Sequence, residues 1–223
     1  MTAAELKEYF LIGYDSATSL SAPGWEDDEI SNFLTIAQKK LFEKYYELFE
    51  TDEKARKVLN YLVVSTDIPR ATGVYTTQTG VYPNGEFWEL PEEMAYSLKE
   101  EVTLNINACE NLSLVPADWL RVYTKPINLD YYSKNVSNPF KKPYSGMVWR
   151  VDASNLNGPK LHMLITGGTY KVQTYHLTYL AYPVDISIGT SVTATLDNVV
   201  HQDIVDTAVM LAVKSIAITN QIK

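Results

Sequence analysis

The chain has 223 residues, 46% of them apolar and 21% charged, with a formal net charge of −8, a balance that fits one or two ordinary globular domains. That acidity argues against nucleic acid as the main partner, because such binding depends on Lys and Arg neutralising phosphates. A single cysteine, Cys109, leaves no internal disulfide and no cysteine-based metal site; with no apolar run of about 18 residues and no basic-then-apolar leader, a cytosolic origin without a membrane span is expected.

Thr2-Ala-Ala-Glu5 has the form of a capping box, followed by the apolar positions Leu6, Tyr9 and Phe10, and Gly13 is expected to end this first helix. Asp15 to Gly24, rich in Ser, Thr and Gly, reads as a loop. From Asp27 to Phe49 the apolar residues Ile30, Phe33, Leu34, Ala37, Leu41, Tyr45, Leu48 and Phe49 recur at steps of three and four, one stripe of a helix of about six turns. The acids Glu26 to Glu29 sit where the positive end of its dipole favours them. Thr51 or Asp52 is expected to cap a third helix with Ala55, Val58, Leu59, Leu62 and Val63 facing inward, and the tight turn before it implies a helical hairpin.

Periodicity changes after Ile68-Pro69. Ala71 to Glu86 is Thr, Tyr and Gly rich, with Pro83-Asn84-Gly85 as a turn signal, and reads as a hairpin or an extended arm. Leu90-Pro91-Glu92-Glu93 looks like the start of a short helix, and Glu101 to Asn107 alternates like a half-buried strand. Asn128 to Ser137 offers a helical turn or two. Val148 to Val151, Lys160 to Ile165, Tyr170 to Leu180 and Val184 to Ile188 read as strands, with Asn157-Gly158-Pro159 and Gly167-Gly168 as turns, and such local turns imply an antiparallel sheet. From Asp197 or Asn198 the helical period returns: Ile204, Val205, Ala208, Leu211, Ala212 and Ile216 form a stripe that needs the face of the opening helices to cover it. The expectation is therefore an α+β fold. It consists of an antiparallel helical bundle, discontinuous in sequence (roughly 1–70 plus 195–223), with an antiparallel β-rich domain, 71–194, inserted between.

No catalytic or metal signature emerges. His162, His176 and His201 lack ligand spacing; His162 and His176 approach each other only if their strands pair, and a half-exposed strand histidine is the plainer reading. His201, in the first turn of the last helix, reads as neutral. No nucleophile elbow, phosphate loop or dinucleotide fingerprint occurs. The acidic pairs read as solvated. The loop Asn138-Pro-Phe-Lys-Lys-Pro143 is different, because two prolines stiffen it and present an aromatic and two cations. It reads as a rigid connector or as a contact through Pro139, Phe140, Lys141, Lys142 and Pro143. The 16 tyrosines are also unusual, since tyrosine offers rigid area with a polar tip.

In order along the chain, DDEISNFLTIAQKKLFEKYY, LPEEM, NPFKKPYSGMVWR, YLAYPVDI and HQDIVDTAVMLAV resemble the head-to-tail connector ring proteins, of adaptor or tail tubular type, of short-tailed bacteriophages, especially crAss-like phages of gut Bacteroidetes hosts. The resemblance implies a virion structural protein made in the bacterial cytoplasm, not an enzyme, with no cofactor and no metal. It further implies a homo-oligomeric ring, a dodecamer, that touches the portal protein and other tail or ring proteins while genomic DNA only passes through the channel. The segment Ala71 to Glu86 has no counterpart in that pattern. Tyr75 and Tyr82 within it, with the Asn138–Pro143 loop, are the expected contact residues. The alternative is a soluble protein-binding module that recognises its partner through a tyrosine-rich sheet.

Overall fold

The computed structural model describes residues 1–18, 24–71, 85–105, 121–144, 146–154, 160–167 and 171–221. Contacts divide the chain into two compact units, Met1–Val63 with Ala181–Lys223, and Val64–Leu180.

The first unit is helical. Thr2 and Glu5 cap α1 (Ala3–Thr18) reciprocally: Glu5 N donates to Thr2 Oγ1 at 3.2 Å and Thr2 N to Glu5 Oε2 at 2.7 Å. Gly13 does not end this helix. It lies inside it, where an added Cβ would stand 3.2 Å from Val209 Cγ2, so its small size serves close approach to the last helix. In α2 (Asp27–Glu47), Ile30, Leu34, Ala37, Leu41 and Tyr45 are buried, whereas Leu48, beyond the helix end, is exposed. Asp52 caps α3 (Glu53–Leu59) by accepting from Lys54 N at 2.9 Å. That helix lasts only seven residues; a 3₁₀ turn, Asn60–Leu62, leads directly into strand β1 (Val63–Ile68). The β-branched pair Val63-Val64 favours this extended state over a further helical turn. Asp197 opens the final helical stretch by accepting from Val199 N, and α5 (His201–Gln221) packs against both α1 and α2 through Ile204, Val205, Ala208 and Ala212. Phe10, Tyr14, Trp25 and Phe33 form an aromatic cluster at α1 and α2.

No strand forms at Val184 to Ile188, where only an isolated Ser187–Val192 bridge occurs. The backbone groups a neighbouring strand would satisfy are taken by side chains of α2 instead. Gln38 donates to Val184 O (2.8 Å) and accepts from Thr195 N (2.9 Å), and Ile186 N and Ile188 N donate to Thr35 Oγ1 and Ser31 Oγ (both 3.0 Å).

The second unit is built on one seven-stranded sheet, order β1-β7-β3-β4-β5-β6-β2, with β2 (Gly85–Glu89), β3 (Met94–Asn105), β4 (Arg121–Pro126), β5 (Val148–Asp152), β6 (Leu161–Ile165) and β7 (Lys171–Ala181). The expected helix at Leu90 to Glu93 is a turn closed by Met94 N donating to Pro91 O at 3.2 Å, after which β3 runs at once. A sheet made only of local antiparallel turns is also corrected, because β4 and β5 are parallel. A parallel pair needs a crossover, and helix α4 (Leu129–Asn135), capped by Asn128, lies in it. Alternation puts Trp149 and Val151 against Tyr131 and Tyr132 of α4 in one apolar layer with Phe87, Leu161, Met163 and Ile165. The free side of β2 is partly covered: Ala71 N donates to Phe87 O (2.8 Å) and Glu89 N to Pro69 O (3.1 Å), which blunts an edge that would otherwise invite pairing.

Among the described residues the architecture is thus α+β, with five α-helices and a seven-stranded mixed sheet. The expectation of an antiparallel helical bundle with an inserted antiparallel β-rich domain fails on two points. The sheet is mixed, and α2 is clothed on one side by an irregular segment rather than by helix.

Candidate functional site

The loop after α4 is held from within. Asn138 Oδ1 accepts from Phe140 N (3.0 Å) and Asn138 O accepts from Lys141 N and Lys142 N (3.1 and 2.9 Å). Pro143 is buried, and an added Cβ on Gly167 would lie 2.6 Å from Pro143 O, so the loop end rests directly on backbone. Pro139, Lys141 and Lys142 are exposed, and Phe140 is 97% exposed. Four of the five expected contact residues of this loop therefore face solvent, and Pro143 is its anchor. Tyr75 and Tyr82 lie outside the described residues, as does Cys109.

A second surface lies on the helical unit: a recess of about 360 Å³ lined by Tyr61, Leu62, Thr195, Leu196, Asp197 and Asn198. Leu62 and Leu196 are buried, Tyr61 is 72% exposed, and the enclosed Thr195 Oγ1 has no hydrogen-bond partner. Beyond Asp197 a neighbouring recess is lined by Glu53, Lys54, Lys57, Val58 and Val199. No sequence signal pointed to either, because the lining comes from segments more than 130 residues apart.

The sheet unit carries two polar groupings. In one, Arg150 grips the Glu100 side chain, which is 8% exposed, with two hydrogen bonds (Nε to Oε2 3.0 Å, Nη2 to Oε1 2.8 Å), and Thr124 Oγ1 donates to the same carboxylate at 2.7 Å. Burial works to raise the Glu100 pKa, but Arg150 and Thr124 outweigh it and hold the carboxyl below its ordinary value. His162 is not a half-exposed strand residue; it is buried, with Nδ1 2.8 Å from Tyr175 Oη. Burial and then the Arg150 charge push its pKa down to about 4, while burial raises that of Tyr175. The phenol therefore keeps its proton, the imidazole stays neutral, and the two share a hydrogen bond whose direction the imidazole tautomer sets. His162 and His176 do not meet, since β6 and β7 are not neighbours.

On neighbouring strands, His176 Nδ1 contacts Asp67 and Nε2 lies 3.1 Å from Thr103 Oγ1. The order hydroxyl, imidazole, carboxylate is that of a nucleophilic triad, but a triad buries its orienting carboxylate. The Asp67 side chain is 64% exposed, so these residues tie three strands together. His201 is buried with Nε2 2.9 Å from Leu196 O, and burial lowers its pKa. Among the described residues no group of three or more His, Cys, Asp or Glu could hold a metal ion, and no helix is long and apolar enough to cross a membrane.

The family of phage tail ring proteins 3/4 matches residues 1–222. Two proteins of Bacteroides phage crAss001 are similar along most of their length. Ring protein 4/5 is 21% identical over 236 aligned residues, covering 95% of this chain and 92% of the relative. Ring protein 3 is 27% identical over 210 residues, covering 85% of each.

Proposed function

We propose, for a chain that belongs to the phage tail ring protein 3/4 family and is a structural ring component of a crAss-like virion, that its copies close into a ring in the connector between head and tail. The observation that carries this reading is the extent of the family match, which runs through both compact units. The role is structural and uses no cofactor. The ring is a dodecamer matched to the portal protein, which it touches together with other tail or ring proteins, and genomic DNA passes through its channel. The two compact units act as two domains, the helical one discontinuous in sequence. Subunit contacts run through the Phe140 loop and through the segment holding Tyr75 and Tyr82. Synthesis is in the host cytoplasm. A ring needs a head-to-tail contact between different patches of one chain, closed by rotation, and the presence of a rigid, exposed loop and a separate apolar recess supports that geometry. Native mass spectrometry and negative-stain microscopy of the purified chain, with and without portal protein, test the proposal. Closed rings are expected, at least on the portal template; a chain that stays monomeric in both conditions contradicts it and favours the binding-module alternative.

A further inference from the structure

Two surfaces of this chain are unfinished in complementary ways. Phe140 stands 97% exposed on a loop whose backbone is fixed by Asn138 and anchored at Pro143. An exposed aromatic ring gains by burial, and here little ordering entropy opposes it because the loop is already held. Lys141 and Lys142 beside it are exposed cations. The recess at Tyr61 offers the converse: a buried apolar floor of Leu62 and Leu196, an exposed aromatic wall, the carboxylate of Asp197 and the partnerless Thr195 hydroxyl.

We propose that Phe140 of one copy seats in the Tyr61–Leu196 recess of the next, with Lys141 and Lys142 meeting Asp197 at its rim. The inference rests on the ring reading and specifies its contact. The neighbouring recess beyond Asp197 fits less well, because its carboxylates Glu53 and Asp197 are offset by Lys54 and Lys57, whereas Asp197 is the one charged residue lining the Tyr61 recess and meets the loop's lysines unopposed. The exposure of both Phe140 and Tyr61 means that neither is satisfied within a single chain. The contact joins two different patches, so it propagates head to tail and closes into a ring when its rotation fits.

Cysteine cross-linking tests the pairing. In a Cys109→Ser background, Phe140→Cys combined with Tyr61→Cys should give, on oxidation of assembled protein, a ladder of covalent oligomers, while either cysteine alone gives at most dimers. Rings visible in the microscope without a ladder would overturn the contact and leave the ring reading standing. Wild-type protein that never forms rings, even with portal protein, would remove the ring reading and this contact with it. Independently, Phe140→Asp should raise the concentration needed for assembly at least about tenfold with an unchanged melting temperature; assembly at the wild-type concentration would exclude the loop from the interface.

Discussion

The helical and sheet units satisfy their buried polar groups in different ways. In the helical unit the polar side chains Ser31, Thr35 and Gln38 of α2 are neutral and bond directly to the backbone of residues 184–195. The sheet unit instead encloses an ion pair, Glu100–Arg150, and a titratable pair, His162–Tyr175. Neutral bonds to backbone survive a change of pH; a buried charge or a buried neutral imidazole does not. Apolar packing and neutral ties therefore secure most of the helical unit, where His201 is a buried imidazole with a lowered pKa, while the sheet unit leans on the protonation state of several side chains.

The largest effect expected is from Leu41→Asp. Leu41 is buried on the α2 stripe, and an unpaired carboxylate there costs several kcal/mol, comparable with the stability of a whole domain. Circular dichroism should show no cooperative melting; a soluble variant with the wild-type melting temperature would show that the stripe is not a packing seam. Next is Arg150→Met, which leaves Glu100 buried without its partner and should cost about 3 kcal/mol or more. Chemical denaturation measures it, and adding Glu100→Leu should restore a good part of the loss. If the double variant is no better than the single one, the ion pair is not what makes Arg150 necessary.

Acid should separate the units further. The folded-state pKa of His162 is depressed from 6.5 to about 4, so below pH 6.5 the unfolded chain binds the proton first. The stability held by the neutral imidazole is complete above pH 6.5 and falls progressively toward pH 4, by about 3 kcal/mol in total. Glu100, whose pKa is lowered from the ordinary 4.5, adds to this at the acid end, losing its contribution as pH falls from 4.5 through its folded value. His201 has the same sign as His162. Melting temperatures from pH 7 to 4 should show His162→Gln with a flatter profile than wild type; parallel profiles would place the acid sensitivity elsewhere. The smallest effect is expected from Gln38→Ala, which orphans Val184 O and Thr195 N and should cost about 1–3 kcal/mol. Hydrogen exchange should show the loss concentrated at 184–195, and an even loss over the helical unit would mean that Gln38 acts through packing alone.

The same contrast explains what could be read in advance. The stripe of α2, the capping box at Thr2, the cap at Asp52 and the final helix rest on contacts within a few residues, and local pattern encodes those. The second face of α2 was written in the same spacing, as Ser31, Thr35 and Gln38, but side chains that receive a backbone segment look like ordinary solvated ones until that segment is in place. The parallel β4–β5 pair was hidden because strand order depends on contacts far apart in sequence, and the apparent helix start at Pro91 is a turn in which Glu93 accepts from Tyr179 of β7. Of the contact surfaces, the Phe140 loop was legible because proline and lysine announce exposure locally. The recess was not, since Tyr61 and Asp197 meet only in the fold.

The central claim, that this chain forms a ring in the head-tail connector, is tested most directly by electron cryo-microscopy of the particle at a resolution that shows side chains. The account predicts copies of this α+β fold closed in a ring around the tail axis next to the portal, with density for Phe140 of each copy against Tyr61 of its neighbour. A map in which the connector rings are complete without this fold, or in which it occurs as isolated copies away from the axis, would contradict it.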